Sequence, residues 1–196
     1  MKKKLLLLLL FLPYFLFSQS DRSDVHPFRV GLKIGMPDGV AIGIEYVTPL
    51  LNNRIAPYAD YGMIQASDVD VKYYEIGSNI YFRNTGRGGY VSAAYGNLNA
   101  EVSNLSGDTE DGREHTNGVA KEQLGSFNLK LGGKFGKKLY FRIEAGYAIG
   151  QLPSEISILA DVDGEQEIII ESFDEAFDYI SGSGYPLFNL GLGYSF

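Results

Sequence analysis

Residues 139–150 read LYFRIEAGYAIG. Leu139, Phe141, Ile143, Ala145, Tyr147 and Ile149 take every second position, with Tyr140, Arg142, Glu144, Gly146, Ala148 and Gly150 between them. A period of two marks an extended strand whose faces meet different surroundings. One face is wholly apolar. The other mixes small residues with an arginine and a glutamate. The stretch is also long enough to cross a bilayer at a tilt, which takes about 9–11 residues.

The same alternation recurs along the chain. Phe28, Val30, Leu32, Ile34 and Met36 oppose Arg29, Gly31, Lys33 and Gly35. Val40, Ile42, Ile44 and Tyr46 oppose Glu45. Ile55, Ala59, Tyr61 and Met63 oppose Tyr58, Asp60 and Gly62, and Tyr74, Ile76, Ile80 and Phe82 oppose Tyr73, Glu75, Asn79 and Tyr81. Residues 90–98 are the least regular, with Val91, Ala93 and Tyr95 assigned to the apolar side and Ser92, Ala94 and Gly96 to the other. Phe127, Leu129, Leu131 and Phe135 oppose Asn128, Lys130, Gly132 and Lys134. The final strand, FNLGLGYSF, sets Phe188, Leu190, Leu192, Tyr194 and Phe196 against Asn189, Gly191, Gly193 and Ser195. Eight strands result, an even number, so the two ends of the set lie on one side. TPLLNNR, RNTGRGG and GKK then connect strands at that end, and all are short to medium and basic. The opposite end carries two long acidic insertions, near 99–123 and 152–184.

The second face carries Arg29, Lys33, Glu45, Asp60, Glu75, Lys130, Lys134, Arg142 and Glu144, charges of near-balanced sign. In a soluble barrel these would be a solvated exterior around an apolar core. An apolar face almost free of charge favours the inverse, as do a charged face diluted with Gly, Ala, Ser and Asn and the aromatics near strand ends. The predicted fold is therefore all-β: an eight-stranded antiparallel transmembrane barrel, closed so that no backbone edge meets lipid. A one-residue slip exchanges a strand's faces. In the strand of Lys130 and Lys134 it would cost roughly 2–4 kcal/mol for each lysine near the midplane. Eight strands enclose just enough room for side chains. Buried charges are tolerated only when paired. The lumen is therefore expected to hold a salt-bridge network rather than an open pore.

The chain opens MKKKLLLLLLFLPYFLFSQS: three lysines, an apolar run broken by Pro13, then a small polar exit. This is the layout of a secretory signal peptide, too short for a membrane helix. The expected organisation is a signal peptide over 1–18, a periplasmic segment over 19–27 and a barrel domain over 28–196. Cysteine is absent, which excludes a disulfide framework and a lipid-anchored cysteine. The formal charge is −7, and −10 without the three signal lysines, which argues against nucleic acid as a partner.

The signal layout, the alternating strands and the ending LGLGYSF resemble the small bacterial outer-membrane barrels: the OmpA transmembrane domain, OmpX/Ail-like proteins and the opacity-type porins. The resemblance covers about residues 28–196. It implies location in the cell outer membrane, outer-membrane lipid as surroundings and a C-terminal aromatic read by the barrel-assembly machinery. Phe196, with Leu190, Leu192 and Tyr194, matches that assembly signal. The chain departs from the pattern in having no Trp for its girdles.

The last insertion contains SILADVDGEQEIII, which predicts a hairpin turning at Asp163–Gly164. Asp161, Asp163 and Glu165 are hard oxygen ligands, but their spacing does not complete a calcium loop. SFDEAFDYISG predicts a short helix, capped by Ser172 and Glu175, with Phe173, Ala176, Phe177 and Ile180 on its apolar face. Residues 99–123 lack a hydrophobic pattern and are expected to be a mobile loop. Some barrels of the resembled class modify lipid A through His, Ser and an acid. Here only His26 and His115 are available, neither beside a convincing serine. The expected function is therefore non-enzymatic: a structural or surface-interaction barrel with no cofactor and no metal, engaging an extracellular partner through its acidic loops. A narrow transport barrel and a lipid A-modifying enzyme are the alternatives.

Overall fold

The computed structural model describes residues 25–109, 112–150, 153, 155–172 and 184–196. They form ten strands: β1 (Phe28–Met36), β2 (Gly39–Tyr46), β3 (Ile55–Ala66), β4 (Val69–Tyr81), β5 (Gly88–Asp108), β6 (Glu114–Gly136), β7 (Leu139–Ile149), β8 (Glu155–Val162), β9 (Glu165–Ser172) and β10 (Tyr185–Ser195). Each of β1 to β6 pairs antiparallel with the next, β7 pairs with β10, and β10 returns to β1. Eight strands thus close an antiparallel barrel. The β8–β9 hairpin attaches to its wall through β6.

The faces fall as the alternation requires. Leu32, Leu131 and Leu192 are about 60 % exposed (61 %, 60 % and 60 %), whereas Lys130 is 4 % and Glu75 1 % exposed. Phe28, Phe82, Phe135, Leu139 and Phe196 ring the short-turn end on the outside. On the inside of that end, Val47, Ala56, Tyr81 and Tyr90 pack into a small plug, with Val25 against it.

The long-loop end differs from expectation. The stretch over 99–123, predicted to be mobile, is largely strand: β5 runs for 21 residues and β6 for 23. Both continue beyond the barrel as one ladder, broken by register shifts between Val102 and Gly107. Its polar residues hid the strand because water lies on one side of this extension and only a small core on the other. That core is Ala120, Ile158 and Ala160, with Leu105, Ile156 and Ile169 packed on it. The hairpin turns where predicted. Asp163 and Gly164 both take left-handed backbone angles, φ 52° and 88°, which a two-residue hairpin turn of this kind requires. Ser172 ends β9. The predicted helical face, Phe173, Ala176, Phe177 and Ile180, lies outside the described residues, as does the signal segment.

Candidate functional site

The inward residues of the barrel meet in one ionic cluster. Near the short-turn end, Glu45 is its hub. Arg29 Nη1 donates to Glu45 Oε1 at 2.6 Å and to the Tyr81 hydroxyl at 2.9 Å, and that hydroxyl donates to the same carboxylate oxygen at 2.9 Å. Lys134 and Asn79 bind the other oxygen of Glu45. Lys134 also sits 5.4 Å from the Tyr90 ring centroid, a cation–π distance.

Deeper in, the groups form a chain. Lys33 pairs with Asp60 at 2.7 Å, and Arg142 bridges Asp60 at 3.3 Å and Glu144 at 2.7 Å. Tyr90 donates to Glu144 at 2.6 Å, and Lys130 lies 3.8 Å from Glu144 while also pairing with Glu75. Glu75 further accepts from Tyr58 at 2.8 Å, Tyr73 at 2.9 Å and Asn128 at 2.6 Å. The nine charged residues named from the sequence are all buried here, and the fold brings them together across strands as far apart as β2 and β6.

One member was missed. Asp38, in the connection between β1 and β2, is 2 % exposed and pairs with Lys33. It brings the buried lumen charges to five cations and five anions. The signal for it was arithmetic: five basic and four acidic residues leave one cation over, and a sealed lumen requires a partner for it. The tyrosine hydroxyls were missed as well. Tyr58, Tyr73, Tyr81 and Tyr90 supply donors that fill carboxylate lone pairs the lysines and arginines cannot reach.

The remaining sequence-named residues fall elsewhere. Leu190, Leu192 and Tyr194 share the outer face of β10 and Phe196 follows it on the same side, meeting Tyr194 edge-to-face at 5.0 Å. His115, expected in a mobile loop, is 2 % exposed in β6, and neither ring nitrogen has a hydrogen-bond partner among the described residues. Glu171 lies 3.9 Å from its Nε2. Asp161, Asp163 and Glu165 do not converge on a common point: Asp161 accepts from Asn117 at 3.1 Å, and Asp163 lies 3.9 Å from Arg113. Among the described residues no His, Cys, Asp and Glu side chains gather as a metal site.

A closed sheet that is oily outside and ionic inside suits a solvent of hydrocarbon, because its backbone is satisfied within the ring and its charges are shielded from lipid. The fold and its inverted polarity define a small transmembrane β-barrel of the outer-membrane type. Among solved structures, the chain is similar to the N-terminal β-barrel domain of Pseudomonas aeruginosa OprF, at 13 % identity and a TM-score of 0.48, over 86 % of this chain and 95 % of that one. It is also similar to Acinetobacter baumannii CarO, at 12 % identity and a TM-score of 0.47, over 87 % and 98 %. A. baumannii CarO2 matches at 13 % identity and a TM-score of 0.44, over 87 % and 98 %. No protein-family model and no curated protein sequence matches the chain.

Proposed function

We propose that this chain is a non-conducting, non-enzymatic outer-membrane barrel that serves a structural and surface-interaction role, presenting its tall β5–β6–β8–β9 wall outside the cell. The observation that carries this reading is the lumen. Ten mutually paired ionic residues, reinforced by tyrosine and asparagine, occupy the space through which a solute would pass. Moving such groups aside would leave charges unpaired in a low-dielectric interior, at several kcal/mol for each broken pair. The burial of His115 disfavours catalysis, since a substrate has no access to its ring.

Planar bilayers provide the test. The mature chain inserted into a bilayer should give no discrete conductance steps at moderate voltage. Reproducible steps that disappear on heat denaturation would replace this reading with the narrow transport barrel. A mass change in co-extracted lipid A, lost on His115→Ala, would replace it with the lipid-modifying enzyme.

A further inference from the structure

On the outer face of the barrel, successive cross-strand rows can be followed upward from the lipid. Ala59, Ile76, Tyr95 and Phe127 form one row, and it is lipid-facing. The next row is Tyr61, Tyr74, Asn97 and Gly125; then come Met63, Lys72, Asn99 and Gln123; then Gln65, Asp70, Glu101 and Lys121. Within these steps the wall changes from hydrocarbon to amide and ion. Tyr95 marks the boundary: its ring lies in the apolar row and its hydroxyl leans over Gly125, in the space a side chain there would fill. An amphipathic ring with its polar tip raised is how tyrosine sits at a membrane interface.

Two features of this band restrict what it can hold. Its charges cancel in pairs: Lys121 lies 3.1 Å from Glu101, and Lys72 3.5 Å from Asp70. Its amides are pre-arranged: Asn97 Oδ1 accepts from Asn99 Nδ2 at 3.0 Å and from Gln123 Nε2 at 3.3 Å. Asn99 and Gln123 line a groove of about 260 Å³ with Lys72, Glu101, Lys121 and others, and Asn97, outside that lining, holds both amides through its Oδ1. Amide donors and acceptors side by side match vicinal hydroxyls, each of which both gives and takes a hydrogen bond. A phosphate would need surplus positive charge, and the paired band offers none. Among the described residues the opposite wall has no counterpart, because β1 and β2 turn at residues 37–38, directly after the lipid-facing Met36.

We infer that this band is a docking surface for the saccharide portion of an outer-leaflet glycolipid, held by the Asn99 and Gln123 amides, which Asn97 positions, directly above the acyl chains that the barrel wall contacts. The inference rests on the membrane reading above and adds a partner to it.

The test uses the mature chain folded in detergent micelles, titrated with lipopolysaccharide carrying its core sugars, with lipid A lacking them, and with phosphatidylglycerol. Native mass spectrometry of the retained lipid is the readout. The sugar-bearing glycolipid is expected to bind about tenfold more tightly than lipid A. That preference should persist at about 0.5 M salt, where exposed charge interactions are screened. The Asn97→Ala/Asn99→Ala/Gln123→Ala variant should lose the preference while keeping heat-modifiable gel mobility. Equal binding of lipid A and sugar-bearing glycolipid by the unmodified chain overturns the proposal without reference to any variant. So does binding that collapses with salt, which would indicate phosphate recognition, and so does a folded triple variant that retains the preference. Failure of the unmodified chain to fold in any amphiphile would instead remove the membrane reading, and this proposal with it.

Discussion

Glu45 shows what a single carboxylate does inside this barrel. It receives Arg29, Lys134, Tyr81 and Asn79, so two cations depend on it for a counter-charge. Removing one partner of a buried pair leaves the other uncompensated, which typically costs about 3–5 kcal/mol. Glu45→Ala should lower the stability of the folded chain in lipid vesicles by that amount, read as a shift of the urea midpoint. Deleting Lys134 as well removes one stranded cation, so Glu45→Ala/Lys134→Ala should cost at least about 1 kcal/mol less than the sum of the two single costs. Strict additivity would mean that water already screens the pair and that the lumen is wet. At this scale the sequence showed most of the network, because alternation identifies inward residues without knowledge of their partners. Asp38 was hidden because it lies in a turn, where period-two reasoning has nothing to count. Its pairing with Lys33, five residues earlier, shows that the β1–β2 turn folds inward to the lumen.

Elements were legible wherever lipid lay on one side and ions on the other. The seven cleaner strands show this contrast, and their faces in the structure agree with the alternation. Beyond the bilayer the contrast disappears, so Asn99, Glu101 and Lys121 read as loop although the β5–β6 ladder continues through them. Hydrophobic periodicity reports a difference between two environments, not the strand itself. The β8–β9 hairpin was visible for another reason: its Asp163–Gly164 pair is turn chemistry, independent of what surrounds it. Gly164 has φ 88°, and a Cβ there would meet no neighbour, so any cost of substitution is purely conformational. Gly164→Val should therefore destabilise the hairpin by about 1–2 kcal/mol through left-handed backbone strain. Limited proteolysis should show faster cleavage between β8 and β9 while the barrel fragment stays heat-modifiable. If barrel and hairpin are lost together, the extension is part of the barrel's own folding unit rather than an appendage on β6.

For the whole molecule, the decisive property is that stability depends on depth in a hydrocarbon slab. A soluble barrel of the same topology would accept a charge anywhere on its outer face, whereas a transmembrane barrel accepts one only near its rims. Leu131 lies midway along the lipid-facing part of β6, between Phe127 and Phe135, and pairs with Val91 on one side and Ala145 on the other. Leu139 begins β7 at the basic, short-turn rim and is even more exposed, at 70 % against 60 %. Ordinary surface reasoning would rank the two sites as equally tolerant. In a membrane, Leu131→Arg should cost about 2–4 kcal/mol and Leu139→Arg about 0–1 kcal/mol, because only the first holds its guanidinium at the bilayer centre. Urea titrations in vesicles give both numbers from the same preparation, and the difference between them cancels any general effect of adding an arginine. Equal costs at the two sites would show that the exterior does not face hydrocarbon. A cost at Leu131 that falls as the bilayer is thinned would show that it does, since a thinner slab brings the charge closer to headgroups and water.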